Sequence, residues 1–179
     1  MKILALSGSL RKNSYNTSII KFLASLSTDV EIYDGISQLP FFNPDIDNST
    51  LENDTSPVAV QEFRKAVSEA DAIIISTPEY AFEIPGVLKN ALDWLVSSAD
   101  IIDKNVVIIS ASTSDMGGDK ANSVLCGLVK VLTGNIVNTT LIVGRVNKKI
   151  DTVGQINDKK LINDLKNLLD RLTKNYNRA

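Results

Sequence analysis

The chain reads as an α/β protein whose core is a five-stranded parallel sheet covered by helices on both faces. Three observations lead there. Short β-branched apolar runs alternate with segments whose apolar residues recur at helical spacing, the pattern of successive βαβ units. Two of the runs, 71–76 (DAIIIS) and 105–110 (NVVIIS), are apolar without alternation, as in strands buried on both faces. No repeat, low-complexity tract or domain-splitting linker interrupts the 179 residues. One domain over 1–179 is therefore expected, a length that buries about 70% of the unfolded surface.

The elements follow in order. Strand 2–7 (KILALS) runs into the polar stretch SGSLRKNSYNT at 7–17, which opens the first helix. Strand 30–33 (VEIY) ends at Asp34. Residues 37–56 (SQLPFFNPDIDNSTLENDTS) carry no period and are long for a connection inside a compact domain. Phe41 and Phe42 seek cover there, so this loop either lines a ligand site or packs on the sheet edge. Val60, Phe63, Val67 and Ala70 then mark a helix before strand 71–76. Beyond it, Pro85 is expected in the first turn of another helix, where its missing N–H costs nothing. That helix presents Leu88, Leu92 and Leu95 on one face and Val87, Ala91 and Trp94 on another. One face meets the sheet; the other meets a second subunit or the 37–56 loop. After strand 105–110, Ala121, Val124, Leu125, Leu128 and Leu132 form a helix, then 136–143 (IVNTTLIV) the fifth strand. Leu161, Leu165, Leu168, Leu169 and Leu172 complete the set. A flavodoxin-like three-layer α/β/α sandwich with strand order 2-1-3-4-5 accommodates this succession.

Composition narrows the function. A formal charge of −2 without a basic stripe argues against nucleic acid as the main partner. No apolar run reaches the ~18 residues of a membrane span, and no signal-peptide pattern opens the chain. The single cysteine, Cys126, reads as a small apolar helix residue; it permits no internal disulfide and suits a cytoplasmic protein. Histidine is absent, which removes His-dependent triads and most zinc sites. The chemistry is expected from a bound group, with no catalytic side chain and no metal. The acidic run Glu52–Asp54 reads as solvated surface.

In an open parallel sheet, ligands bind beyond the C-terminal strand ends. SGSLRKNSYNT sits there. Backbone N–H groups and a helix N-terminus favour an anion, with Ser9, Ser14, Asn16 and Thr17 as side-chain donors and Arg11 as a charged contact. The plainer alternative is that Ser14 or Asn13 caps the helix while Arg11 and Lys12 are solvated. Neither a Walker loop nor G-x-G-x-x-G is present, so a mononucleotide phosphate fits better than ATP or a dinucleotide Rossmann site. The loop after the third strand, stiffened by Pro78, offers Glu79, Tyr80 and Ala81 to a flat heterocycle beside the same crevice.

GSLRKNSYN at 8–16 and TPEY-x-x-x-IPGVLKNALDW at 77–94, with LPFFNPD at 39–45, resemble the NADPH-dependent FMN reductase family. This family includes quinone, chromate and azo-dye reductases of flavodoxin-like fold, and the likeness runs from residue 1 to about residue 172. The resemblance implies FMN and NADPH or NADH as cofactors. It assigns Ser9, Arg11, Ser14 and Asn16, with Tyr15 and Thr17 beside them, to the FMN phosphate. It places Pro78, Glu79, Tyr80 and Ala81 along the isoalloxazine ring, and Ser112 and Thr113 on a third side. It implies ping-pong hydride transfer from the nicotinamide to a small electron acceptor, and a homodimer or homotetramer joined at the helix after the P-E-Y loop. Two departures stand out: the usual P-E-Y-N is here Pro78-Glu79-Tyr80-Ala81, and the loop after the fourth strand carries an extra carboxylate, Asp115. A flavodoxin-like electron carrier and a flavin-binding sensor are the alternatives, and direct NAD(P)H oxidation separates them from the enzyme. Arg145, Lys148 and Lys149 either meet an NADPH phosphate or form a solvated loop.

Overall fold

The computed structural model of the protein describes residues 1–48, 54–136 and 140–176. Its strands are β1 (Ile3–Ser7), β2 (Val30–Tyr33), β3 (Ala72–Thr77), β4 (Asn105–Ala111), β5 (Asn135–Ile136) and β6 (Leu141–Val143). The helices are α1 (Tyr15–Leu26), α2 (Val58–Ser68), α3 (Gly86–Asp93), α4 (Asp119–Val131) and α5 (Lys159–Tyr176). All strand pairs are parallel, in the expected order β2-β1-β3-β4-β5, with β6 also on β4.

The expected fifth strand is two short segments. Asn135 pairs with Asn105, whereas Leu141 pairs with Ile109, so the chain gains two residues on β4 between the segments. The intervening positions 137–139, inside the strand expected at 136–143, lie outside the described residues.

Side chains alternate along each strand, and here both faces are apolar. Leu4, Leu6, Ile73, Ile75, Val106 and Ile108 pack with α2, α3 and α4. Ile3, Ala5, Ile74, Val107 and Ile109 pack with α1 and α5. Every residue of β3 is buried, and each buried isoleucine contributes about 1.5–3 kcal/mol. The continuous apolar run was therefore a sound mark of the central strand.

The described part of the 37–56 loop is tied to α3 and Trp94 by hydrogen bonds and an aromatic contact. Trp94, just after α3, is fully buried; its Nε1 donates to Pro40 O (2.9 Å), and its ring meets Phe42 edge-on at 5.0 Å. Asn90 of α3 accepts from the Phe42 N–H (2.8 Å) and donates to Pro40 O (2.9 Å). The second apolar face of this helix is thus covered at Trp94 by the chain's own loop. Pro85 sits at the cap before α3 and not in its first turn.

Beneath the loop lies an ion pair that the periodicity of α2 conceals. Arg64 is buried, donating from Nε to Trp94 O (2.9 Å), from Nη1 to Ser56 Oγ (3.1 Å), and from Nη2 to Asp47 Oδ1 (2.8 Å) and Ser97 Oγ (3.1 Å). Its guanidinium also stacks on the Trp94 ring at 5.7 Å. Asp54 Oδ2 stands 3.9 Å from it and Asp54 Oδ1 caps Ser56 N–H, so Asp54 belongs to this network and is not merely solvated. Glu52 and Asn53 lie outside the described residues. A buried charge that loses its counter-charge is costly. Asp47→Ala is expected to lower unfolding free energy by about 3–5 kcal/mol in urea titration; a loss below about 1 kcal/mol would show that the network is dispensable.

Candidate active site

Three loops leave the C-terminal ends of β1, β3 and β4 and enclose a cleft of about 170 Å³. Ser9, Arg11, Ser14, Tyr15, Asn16, Pro78, Glu79, Tyr80, Ala111, Ser112 and Thr113 line it. The expected site residues are therefore brought together, with two exceptions. Thr17 points to the hydroxyl of Ser7 (2.8 Å), and Ala81 stands at the tip of the Pro78 loop, off the wall.

Asn16 makes the meeting possible. It is buried; its Oδ1 accepts from Ser76 Oγ at the end of β3 (2.9 Å), and its Nδ2 donates to Ala111 O at the end of β4 (3.1 Å). One side chain thus joins the first turn of α1 to two strand ends. Its role is structural before it is ligand-binding. The signal in the sequence is Ser76, a hydroxyl closing an otherwise apolar buried run.

Ser14 caps α1, accepting from Thr17 N–H (3.3 Å), so the plainer reading of this serine is realised. Capping uses a lone pair of its oxygen and leaves the O–H to donate. The first-turn N–H groups of Tyr15 and Asn16 have no intrahelical acceptor, as at any helix start. Arg11 is exposed, stacks on Tyr15 at 5.1 Å and donates to Asn13 O. The wall therefore offers hydroxyls, amides and a guanidinium, a donor set that matches an acceptor-only phosphate.

Glu79 behaves otherwise than the sequence implied. Its Oε2 accepts from the N–H groups of Lys120 (3.0 Å) and Ala121 (3.1 Å), in the first turn of α4. The carboxylate answers the positive end of that helix, leaving the backbone of the loop to face the cleft. The next residues form a tight turn: Tyr80 and Glu83 exchange both backbone hydrogen bonds (3.0 Å each), with Ala81 at φ 51° and Phe82 at φ 65°. Both central residues are left-handed, where asparagine is far more at ease than alanine. The departure at Ala81 thus has a backbone meaning.

On the third side, Asp115 is paired with Arg145 through both carboxylate oxygens. This hydrogen-bonded guanidinium holds the Asp115 carboxyl below its ordinary range. The extra carboxylate is neutralised locally, and Arg145 is neither a free cation nor merely solvated. Gly144 lies under this loop, where a Cβ would collide with Asp115 O.

The sequence profile of the family described as NADPH-dependent FMN reductase matches residues 1–148. The chain belongs to that family. It is 39% identical over 124 residues to an NAD(P)H:quinone oxidoreductase of Solanum tuberosum, an alignment spanning 66% of this chain and 62% of that protein. It is 33% identical over 179 residues to an NADPH:quinone oxidoreductase of Arabidopsis thaliana, spanning 94% and 88%. Among solved structures, the flavoenzyme NAD(P)H:(acceptor) oxidoreductase FerB of Paracoccus denitrificans superposes with a TM-score of 0.81 at 24% identity, covering 99% and 97% of the chains. The fold is the flavodoxin-like one. As a member of the NADPH-dependent FMN reductase family the protein is an oxidoreductase, with FMN and a nicotinamide nucleotide as its cofactors. The donor-rich wall at Ser9–Asn16 fits the phosphate of that flavin.

Ala81→Asn is expected to stabilise the protein by about 0.5–1 kcal/mol, read as a higher urea midpoint at unchanged slope. An unchanged or lower midpoint would mean that the left-handed turn carries no strain.

Proposed function

We propose that residues 1–179 act as one domain that binds FMN in this cleft and reduces quinone-like acceptors with NAD(P)H in the cytoplasm, by a ping-pong scheme. The observation that carries the reading is the convergence of the Ser9–Asn16 donors with the Pro78–Tyr80 and Ser112–Thr113 loops. In this reading Ser9, Ser14, Arg11 and the amides of Tyr15 and Asn16 hold the phosphate. Pro78 and Tyr80, with the Glu79 backbone, flank the flavin ring, the Ala81 turn stands at the edge of the site, and Ser112 and Thr113 close the opposite side. Thr17 steadies the loop through Ser7.

FMN held by these residues would supply the redox chemistry, hydride acceptance from a nicotinamide and electron transfer to a second substrate. The chain's task is to bind, orient and tune. Tyr80 N–H is committed to Glu83 O, which leaves the N–H groups of Ala81 and Phe82 to meet negative charge on the ring. No side chain is assigned a proton-transfer role.

Purified protein is expected to oxidise NADPH or NADH with a quinone as acceptor, giving parallel double-reciprocal lines. Flavin binding without NAD(P)H oxidation would mean a carrier or sensor. Arg11→Ala is expected to weaken FMN binding about tenfold, the lower range for a charge-assisted hydrogen bond because Arg11 is exposed. Unchanged affinity would remove Arg11 from the site.

The proposed assembly is a homodimer or homotetramer. Its support is apolar surface left around α3: Phe41 is 90% exposed, Phe82 74% and Val96 61%. Light scattering at micromolar concentration is expected to give at least twice the 19.5 kDa chain mass; a monomeric mass would contradict it.

A further inference from the structure

The loop after β4 closes the cleft with Ser112 and Thr113, and its anchorage changes between those two residues. Ser112 still extends the sheet: its N–H donates to Val143 O (3.1 Å), and its carbonyl accepts from Val146 N–H (3.0 Å). Beyond it, among the described residues, every hydrogen bond from the tip 113–116 to a group outside the loop comes from Arg145. The Arg145 N–H donates to Ser114 O (2.9 Å), and the guanidinium donates from Nε and Nη2 to the two carboxylate oxygens of Asp115.

Folding stability does not explain this arrangement. Arg145 has φ 51°, a left-handed backbone that is costly for residues other than glycine, asparagine and aspartate. The pair is open to water, Arg145 being 57% and Asp115 67% exposed, and such pairs add little to folding. Strain of this kind persists where the surrounding structure enforces it, and it gathers at functional sites. Here the enforcement is visible. A Cβ on Gly144 would strike Asp115 O, and one on Gly117 would come within 2.6 Å of Gly144 N, so the two loops touch backbone to backbone. On the other side, Glu79 accepts from the N–H groups of Lys120 and Ala121, which already fixes the start of α4 against the Pro78 loop. The tip 113–116 is the part left to be held.

We propose that Asp115 and Arg145 are positioning residues for flavin binding: their ion pair holds the 113–116 tip so that Thr113 stays in the wall of the cleft. The inference rests on the flavin reading above. Arg145 acts through Asp115 and not on the ligand, and its left-handed backbone serves to aim the guanidinium fork at that carboxylate. Losing the pair therefore weakens FMN binding without weakening the fold.

The test uses Asp115→Asn, Arg145→Asn and the two together. FMN affinity is read from the change in flavin fluorescence on adding apoprotein, and stability from urea titration of the same apoprotein. Each single variant is expected to weaken FMN binding about fivefold, the upper range for an exposed pair, and the double no further than either. Asparagine is at ease in the left-handed region, so the urea midpoint of Arg145→Asn stays level or rises. The exchanged pair, Asp115→Arg with Arg145→Asp, regains most of the affinity. In flavin-free protein, amide exchange at 113–116 is faster in either single variant. Unchanged FMN affinity, or a urea midpoint that falls in step with affinity, would overturn the assignment. So would tighter binding by Asp115→Asn beside weaker binding by Arg145→Asn, since the guanidinium would then meet the ligand itself. A native protein that takes up no FMN would fault the flavin reading; the hold of the pair on the tip is then judged by exchange alone, and unchanged exchange would overturn that too.

Discussion

The active site depends on one buried amide. Asn16 sits in the first turn of α1, yet its hydrogen bonds run outward to Ser76 on β3 and Ala111 on β4. Parallel strands deliver their loops to one edge of the sheet but leave those loops free to drift. A buried amide that must satisfy both its donor and acceptor ends permits few arrangements. Here it sets the phosphate loop, the Pro78 loop and the Ser112 loop in one frame. A frame held by the chain's own hydrogen bonds lowers the ordering cost of binding.

Around this frame the chain repeats the same device at larger scale. Glu79 ties the Pro78 loop to the start of α4, Asp115 ties the Ser112 loop to Arg145, and Arg64 ties the 37–56 loop to Trp94. In each case a charged side chain that looks available in the sequence is spent on positioning. What remains for a ligand in this cleft is mostly backbone N–H and hydroxyl, with Arg11 at the margin. A protein whose chemistry comes from a bound flavin needs little more.

Much of this was legible in the sequence, and the reasons are physical. Continuous runs such as DAIIIS are what strands covered on both faces require, and their alternation with helical periods pointed to the doubly wound order 2-1-3-4-5. The two long motifs at strand ends carried the cofactor and the family. The partners of polar side chains were not legible, because hydrogen bonds between residues 60 or 95 positions apart leave no periodic trace. Asn16 and Glu79 were assigned to the ligand for that reason. Arg64 went unnoticed because it occupies a position on α2 where solvent exposure is the norm for arginine. The two-residue gain in register between β5 and β6 was equally hidden, because IVNTTLIV has strand composition throughout.

The central claim is that this cleft binds FMN and that a nicotinamide nucleotide reduces it there. Anaerobic titration of the FMN-reconstituted protein with NADPH, followed through the visible absorption of the flavin, tests it most directly. Stoichiometric bleaching, reversed on adding a quinone, is the predicted result. A bound flavin that neither NADPH nor NADH bleaches would contradict the account.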